Sequence, residues 1–355
     1  MTPILQKTSD IIETLLAAID GAEKEILLQT FYFDNDAVGK RFLTTLIAKA
    51  TAGVKVHCLF DALGARTLSG STEEHVAIAA GVQITYFNWL TPWSSGNKRF
   101  WYFRNHKRAL IIDKRVLHVG GWCVGSKTSE WIDNHLEVSD SHLVQKALGD
   151  FRTMVHFAHK TSFKFRHDGR YAFSQDVETS YAYQAPLLRS RYIYYTLLRL
   201  IRSAQKHIIL VTPYFSPSHR FLKEIKRALK RGVRVTLHRP KSTDHHITDL
   251  AASTYYNGLL KRGAEIYLSE KMIHAKVHVF DDTAYIGSAN LDSGSQKFNF
   301  ENGIFTKKVD VVESLIQDTE YLKFDSELLT LEEWSKRSWW SKFLEKIVRL
   351  VRGLL

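Results

Sequence analysis

The feature that most constrains this chain is that it contains itself twice. Ile26–Phe33 reads ILLQTFYF and Ile208–Phe215 reads IILVTPYF; Gly53–Asp61 (GVKVHCLFD) is answered by Gly232–Pro240 (GVRVTLHRP). The segment His106–Asp113 is matched by His274–Asp281, 168 residues on. Three paired segments in one order indicate a duplication, so a chain of 355 residues is expected to fold as two equivalent halves rather than as one large domain.

Within each half, apolar runs rich in Ile, Val, Phe and Tyr alternate with stretches of helical period such as Phe42–Ala52 and Arg220–Arg231. Gly53 and Gly232 stand where a helix-ending glycine belongs, just before the next strand. The alternation predicts an α/β fold: two duplicated α/β/α sandwich halves related by a pseudo-twofold axis, each a mixed sheet covered by helices. The divisions expected are residues 1–170, 171–330 and a C-terminal segment 331–355, with the boundary between halves in the polar stretch near 165–187.

The second half carries His274-Ala275-Lys276, four further residues, Asp281, and then Gly287-Ser288-Ala289-Asn290. The segment reads as an apolar strand entering a tight turn. Residues two apart on a strand share a face, so His274 and Lys276 project into one pocket. A neutral imidazole can attack phosphorus or shuttle a proton, while the ammonium beside it holds phosphoryl oxygens. Ser288 and Asn290 are expected to donate further hydrogen bonds to those oxygens. In the first half His106-Lys107-Arg108 precedes Asp113, followed by Gly120-Gly121-Trp122-Cys123. Here Arg108 shares the face of His106 and Lys107 points away.

Two such motifs on a duplicated α/β chain resemble the phospholipase D superfamily. Residues 26–42, 53–64, 232–246, 254–267 and 287–303 are similar to bacterial cardiolipin synthases, so the resemblance runs through nearly the whole chain. It implies a covalent phosphohistidine mechanism with His106 as nucleophile and His274 as general acid and base; the reverse assignment, with the intact second motif supplying the nucleophile, is the alternative. It further implies that Asp113 and Asp281 each hold an imidazole, and that Gly120, Gly121, Ser288, Asn290 and Glu301 surround the phosphate. Glu301 would orient a histidine or the backbone. No metal and no organic cofactor are implied, because cationic side chains clamp the phosphate. A single chain carries both motifs, so a monomer suffices for a complete site. The chain departs from the family where Arg108 replaces lysine, Cys123 replaces asparagine, and Ser293-Gly294-Ser295 lacks the usual arginine. Arginine keeps the charge but changes its geometry.

Asp244 and His245 are expected at the rim of the site, whereas His57, His118 and His278 sit in apolar strands and read as core or strand-surface residues. The two cysteines, Cys58 and Cys123, exclude a disulfide framework and fit a reducing compartment. No run of about 18 apolar residues marks a membrane span, and the first residues show no signal pattern.

A net charge of +12 calls for an anionic partner but does not choose between nucleic acid and an acidic membrane. The C-terminal segment from Trp334 chooses. On a helical wheel Trp339, Trp340 and Phe343 fall on one face with Leu344, Ile347 and Val351, and Lys342, Lys346 and Arg349 fall on the other. That is the pattern of a helix lying in a membrane interface. The aromatic loop Asn88–Phe103 is expected to wall the substrate entrance. The reading is a peripheral enzyme on the cytoplasmic side of a bacterial inner membrane, acting on anionic phospholipid and not on nucleic acid. A hydrolase using water as acceptor, on lipid or nucleic acid, and a non-catalytic anion-binding module are the alternatives.

Overall fold

The computed structural model describes residues 4–88, 102–159, 177–186, 190–340 and 348. The first sheet is built from β1 (Leu5–Lys7), β2 (Glu25–Thr30), β3 (Lys55–Asp61), β4 (Gln83–Phe87), β5 (Ala109–Ile112), β6 (Val116–Gly120) and β7 (Ile132–Val138). Their order is β1-β7-β6-β5-β2-β3-β4. The second sheet contains β8 (Thr179–Gln184), β9 (His207–Val211), β11 (Arg234–Pro240), β12 (Glu265–Ser269), β13 (Val277–Phe280), β14 (Thr283–Gly287), β16 (Glu301–Thr306) and β17 (Ser326–Leu328). Between them in sequence, β10 (Phe215–Ser216) and β15 (Leu291–Asp292) form a small parallel pair.

Read from β8, the second sheet runs β8-β16-β14-β13-β9-β11-β12, which repeats the first strand for strand and adds β17 at the edge. In both, three strands run parallel and the hairpin carrying the histidine motif joins them antiparallel. The sheets are therefore mixed, and the duplication is one of topology as well as of sequence.

Local chemistry places the helices. Asp36 caps the helix Ala37–Thr51 by accepting from the N–H groups of Val38 and Gly39, and Gly53 follows it with φ of 90°. Ser218 caps His219–Lys230 from the N–H of Phe221, and Gly232 follows with φ of 86°. Both glycines thus occupy the left-handed position that lets the chain leave a helix and enter a strand. The helix His219–Lys230 buries Phe221, Leu222, Ile225, Ala228 and Leu229 on the second sheet.

The cores do not stop at the border between halves. Phe87, Phe103 and Phe151 of the first half share a cluster with Tyr181, Phe300 and Ile304 of the second. Ile4 likewise packs with Ile209, Ile273 and Val277. Phe300 is fully buried there, and truncating such a ring costs about 3–5 kcal/mol. Bridges Asn105–Phe300 and Ile132–Ile273 run strand backbone across the junction.

The segment beginning at Trp334 divides. Leu331–Ser335 is a short helix with a Thr330–Glu333 capping box, and Trp334 is buried against Tyr256, their rings 5.1 Å apart. Trp334 is thus core, and the chain leaves helical geometry at 336–338, which corrects the expectation of one amphipathic helix running from it. Trp339 and Trp340 re-enter helix, stack at 3.9 Å, and are 65% and 58% exposed. Phe343, Lys342, Lys346 and Arg349 lie outside the described residues, as does most of the aromatic loop after Asn88. Among the described residues no helix is long and apolar enough to cross a membrane.

Candidate active site

The histidine motifs sit just ahead of their strands. β5 begins at Ala109 and β13 at Val277, so His106 and His274 lie on the extended approach and not within the strand. Each approach is anchored by the opposite half. The N–H of His106 donates to the carbonyl of Phe300 at 2.9 Å, and that of His274 to the carbonyl of Ile132 at 2.7 Å.

The same crossing fixes both imidazoles. His274 Nδ1 meets Asp133 Oδ2 at 2.7 Å, and His106 Nδ1 meets both oxygens of Glu301 at 3.0 Å. Asp133 is the second residue of β7 and Glu301 the first of β16, so each histidine is held by the half that does not contain it. The next residues complete the exchange. Asn134 accepts from the N–H of Lys276 at 2.8 Å and donates to the carbonyl of Gly287. Asn302 accepts from the N–H of Arg108 at 3.0 Å and donates to its carbonyl at 2.9 Å.

The motif aspartates do something else, which corrects the expectation that they hold the imidazoles. Asp113 accepts from the N–H groups of Glu23, Lys24 and Glu25, and Asp281 from those of Gln205, Lys206 and His207. Both adopt left-handed φ, 52° and 51°, in the turn at the far end of the strand. Seven steps along the chain separate them from the histidines, a span of about 23 Å when extended. They fasten turns and lie far from the imidazoles.

Ser288 Oγ donates to Glu301 Oε2 at 2.5 Å, and the side chain of Asn290 is hydrogen-bonded to Asp292. The expected phosphate donors are therefore turned toward carboxylates. Gly120 and Gly121 let β7 approach: a Cβ on Gly120 would lie 2.0 Å from the Asn134 carbonyl oxygen, and one on Gly121 would lie 2.3 Å from Asp133 Oδ1. Lys107 is buried on the other side, paired with Asp150, as its alternation with Arg108 requires. Arg108 donates to the carbonyl of His106, its Nη2 is 3.9 Å from Cys123 Sγ, and its buried Nε finds no acceptor among the described residues.

A cavity of about 540 Å³ gathers His106, Arg108, Cys123, Trp131 and His274 on its walls. Tyr214, Asp244 and His245 line it too, with Tyr214 Oη donating to Asp244 at 2.5 Å. Phe31 stands edge-on to His106 at 5.1 Å and Trp131 lies 5.2 Å from His274. His57, His118 and His278 point elsewhere: His118 bonds His135 at 3.0 Å, His57 bonds Thr85, and His278 stacks on Tyr285. Cys58 and Cys123 are free thiols, both buried.

Electrostatics distinguish the two pairs. Burial, with the charges of Arg108 and Lys276, drives His106 well below its usual value, and burial pushes Glu301 up to about 8. Burial works on Asp133 in the same way, but His274 and Lys276 outweigh it and hold that carboxylate below its usual range. His274 is lowered to about 4 by burial and by Lys276, with Asp133 opposing. Lys276, with Nζ 2.8 Å from the His274 ring, is pushed down to about 7, chiefly by burial.

Fold and site together define a duplicated, two-histidine α/β protein built for chemistry at a phosphodiester. Residues 15–155 and 197–323 match the family described as cardiolipin synthase, PLD-like domain. The chain belongs to this family, whose members are phospholipid phosphatidyltransferases. It is 30% identical over 359 residues to the major cardiolipin synthase ClsA of Bacillus subtilis (strain 168), covering 98% of this chain and 73% of that one. With cardiolipin synthase 1 of Staphylococcus epidermidis (strain ATCC 12228 / FDA PCI 1200) the identity is 30% over 358 residues, 97% of this chain and 72% of that one. Among solved structures, phosphatidylserine synthase of Haemophilus influenzae Rd KW20 matches with a TM-score of 0.75 at 13% identity, covering 99% and 95% of the two chains. Polyphosphate kinase from Porphyromonas gingivalis matches at 0.63 and 13%, covering 99% of this chain and 53% of that one. These two share the fold.

Asp133 and Asn134 are the residues sequence reasoning missed. A signal existed: Asp133-Asn134 and Glu301-Asn302 are an acid–asparagine pair repeated at the same 168-residue offset as the histidines.

Proposed function

We propose that the protein transfers a phosphatidyl group from phosphatidylglycerol to the hydroxyl of a second phosphatidylglycerol, or of another alcohol, through a phosphohistidine. The observation that carries this is the crossed pairing of two histidines with two acids around one cavity. Each acid occupies Nδ1 and leaves Nε2 for chemistry.

His106, uncharged, attacks phosphorus through Nε2 as the bond to the glycerol oxygen breaks. His274 gives that oxygen its proton. A phosphate in the cavity adds its negative charge to that of Asp133 and raises His274 toward the protonated form that this step needs. Glycerol leaves, the acceptor hydroxyl passes its proton to His274, and its oxygen displaces His106 from phosphorus. Two in-line displacements retain configuration. Arg108 and Lys276 hold the non-bridging oxygens, and the Arg108 Nε, without an acceptor among the described residues, supplies a donor. Asp133 and Glu301 are positioning residues.

The two halves, 1–170 and 171–330, supply one histidine each, so one chain makes the site. We assign Trp339, Trp340 and the basic segment that follows to a membrane interface on the cytoplasmic side, a peripheral attachment. The test is purified protein incubated with phosphate-labelled phosphatidylglycerol in vesicles. Cardiolipin and glycerol support the reading; phosphatidic acid alone overturns it in favour of hydrolysis. Removal of residues 339–355 is expected to weaken vesicle binding, and unchanged binding would refute that anchor.

A further inference from the structure

A second cavity, of about 680 Å³, lies against the catalytic one and shares a wall with it. The shared wall is Trp131, which lines both. Its backbone is fixed from both sides: its N–H donates to the carbonyl of Thr128 and its carbonyl accepts from the N–H of Thr8 at 2.8 Å. The size falls within the range of about 300–1,000 Å³ that suits an organic ligand.

The character of the two cavities differs. Apolar walls of the second come from Leu5, Ile132, Met272 and Leu322. Both lysines are paired, Lys7 with Glu130 at 3.0 Å and Lys271 with Asp325 at 2.5 Å, and Asp318 accepts the N–H groups of Ile4 and Leu5. Two lysines against three carboxylates leave nothing there to recognise an anion, whereas Arg66, Arg104, Arg108 and Lys127 line the catalytic cavity. At its edge Tyr321 is 60% exposed, and Phe324 beside it is 84% exposed with the rings 6.3 Å apart. Solvent-facing aromatics next to paired lysines suit a lipid–water boundary.

We propose that the cavity between β1, the Glu130–Ile132 segment and the helix Val309–Phe324 takes an acyl chain of the phospholipid whose phosphate sits at the histidines. A ligand polar at one end and apolar at the other matches two adjoining cavities that share Trp131 as a wall. This rests on the proposed phospholipid substrate and extends it by locating the chain.

The test is photolabelling of the full chain with a phosphatidylglycerol bearing a diazirine near the end of one acyl chain, in mixed micelles, followed by peptide mapping. Label on Met272 or within residues 318–325 is expected. Label confined to residues outside the cavity overturns the proposal, and so does equal labelling of the cavity by a diazirine fatty acid without a headgroup. Labelling does not require turnover, so failure of the transfer reaction and failure of this site read out separately. Kinetics supply a second reading. In Met272→Arg and Tyr321→Glu, kcat/KM for dioleoyl phosphatidylglycerol should fall about tenfold relative to the dihexanoyl lipid, the loss lying in KM. An unchanged ratio in both variants contradicts it, and Tyr321, being exposed, can be replaced without disturbing the fold.

Discussion

Asp133 and His274 are 141 residues apart in sequence and 2.7 Å apart in the folded chain, one contributed by each half. Their counterparts, Glu301 and His106, repeat the relationship in the opposite sense. The duplicated halves are thus not two sites side by side. Each half completes the other.

The positioning role of these acids separates them from the motif aspartates. Asp133→Asn and Glu301→Gln should each lower kcat by about 10²-fold or more, as loss of an orienting acid does elsewhere, with little change in KM. Asp113→Asn and Asp281→Asn should leave kcat within about twofold and instead lower stability by about 1–2 kcal/mol, through the turn amides they cap. Steady-state transfer assays and urea unfolding on the four variants decide it. A large kcat loss confined to the motif aspartates would reverse the assignment.

Gly121 should resist substitution although its mate in the other half is Ser288. A side chain at 121 would lie 2.3 Å from Asp133 Oδ1 and 2.7 Å from Asn134 Oδ1. Gly121→Ala is expected to displace that carboxylate and reduce kcat at least tenfold, by the order of a misplaced catalytic group. Gly149→Ala, within the helix Ser141–His159 and facing open space, should keep full activity and gain up to about 1 kcal/mol.

Lys276 sets an alkaline limit. Its amine is cationic below about 7 and loses its charge above, so kcat/KM should fall as pH rises through that value. Bound phosphate favours the ammonium and should move the limb upward in kcat. Lys276→Arg should abolish the limb while lowering the overall rate. A limb that persists in the arginine variant belongs to another group.

His278 is fully buried and stacked on Tyr285, and burial lowers it to about 3. The unfolded chain protonates it near its usual 6.5, so stability is full above that pH and is lost as pH falls from there toward 3. At pH 5 the loss is about 2 kcal/mol. His278→Phe should not suffer it, so urea unfolding at pH 8 and pH 5 should show the variant gaining by about that amount on acidification. Parallel pH dependence of the two proteins would contradict the burial argument.

Much of this could be read from the chain alone. The repeat gave the duplicated α/β architecture, alternation put Arg108 and Lys107 on opposite sides, and the helix-ending glycines were found at Gly53 and Gly232. What could not be read was which acid serves which histidine. Proximity in sequence favours Asp113 and Asp281, but an extended strand carries them to the opposite end. The true partners arrive from the other half, and only the pseudo-twofold axis brings them in. The start of the C-terminal segment was not legible for a related reason: sequence shows that Trp334 is apolar but not which core it meets, and its ring packs on Tyr256.

The account rests on a covalent intermediate formed at one histidine and resolved by the other. The direct measurement is rapid acid-free quenching of the protein during turnover of phosphate-labelled phosphatidylglycerol, followed by peptide mapping of the label. The account predicts label on His106, absent in His106→Ala and accumulating in His274→Ala when the acceptor must be deprotonated. No protein-bound phosphate during turnover, or label on any residue other than these two histidines, would contradict it.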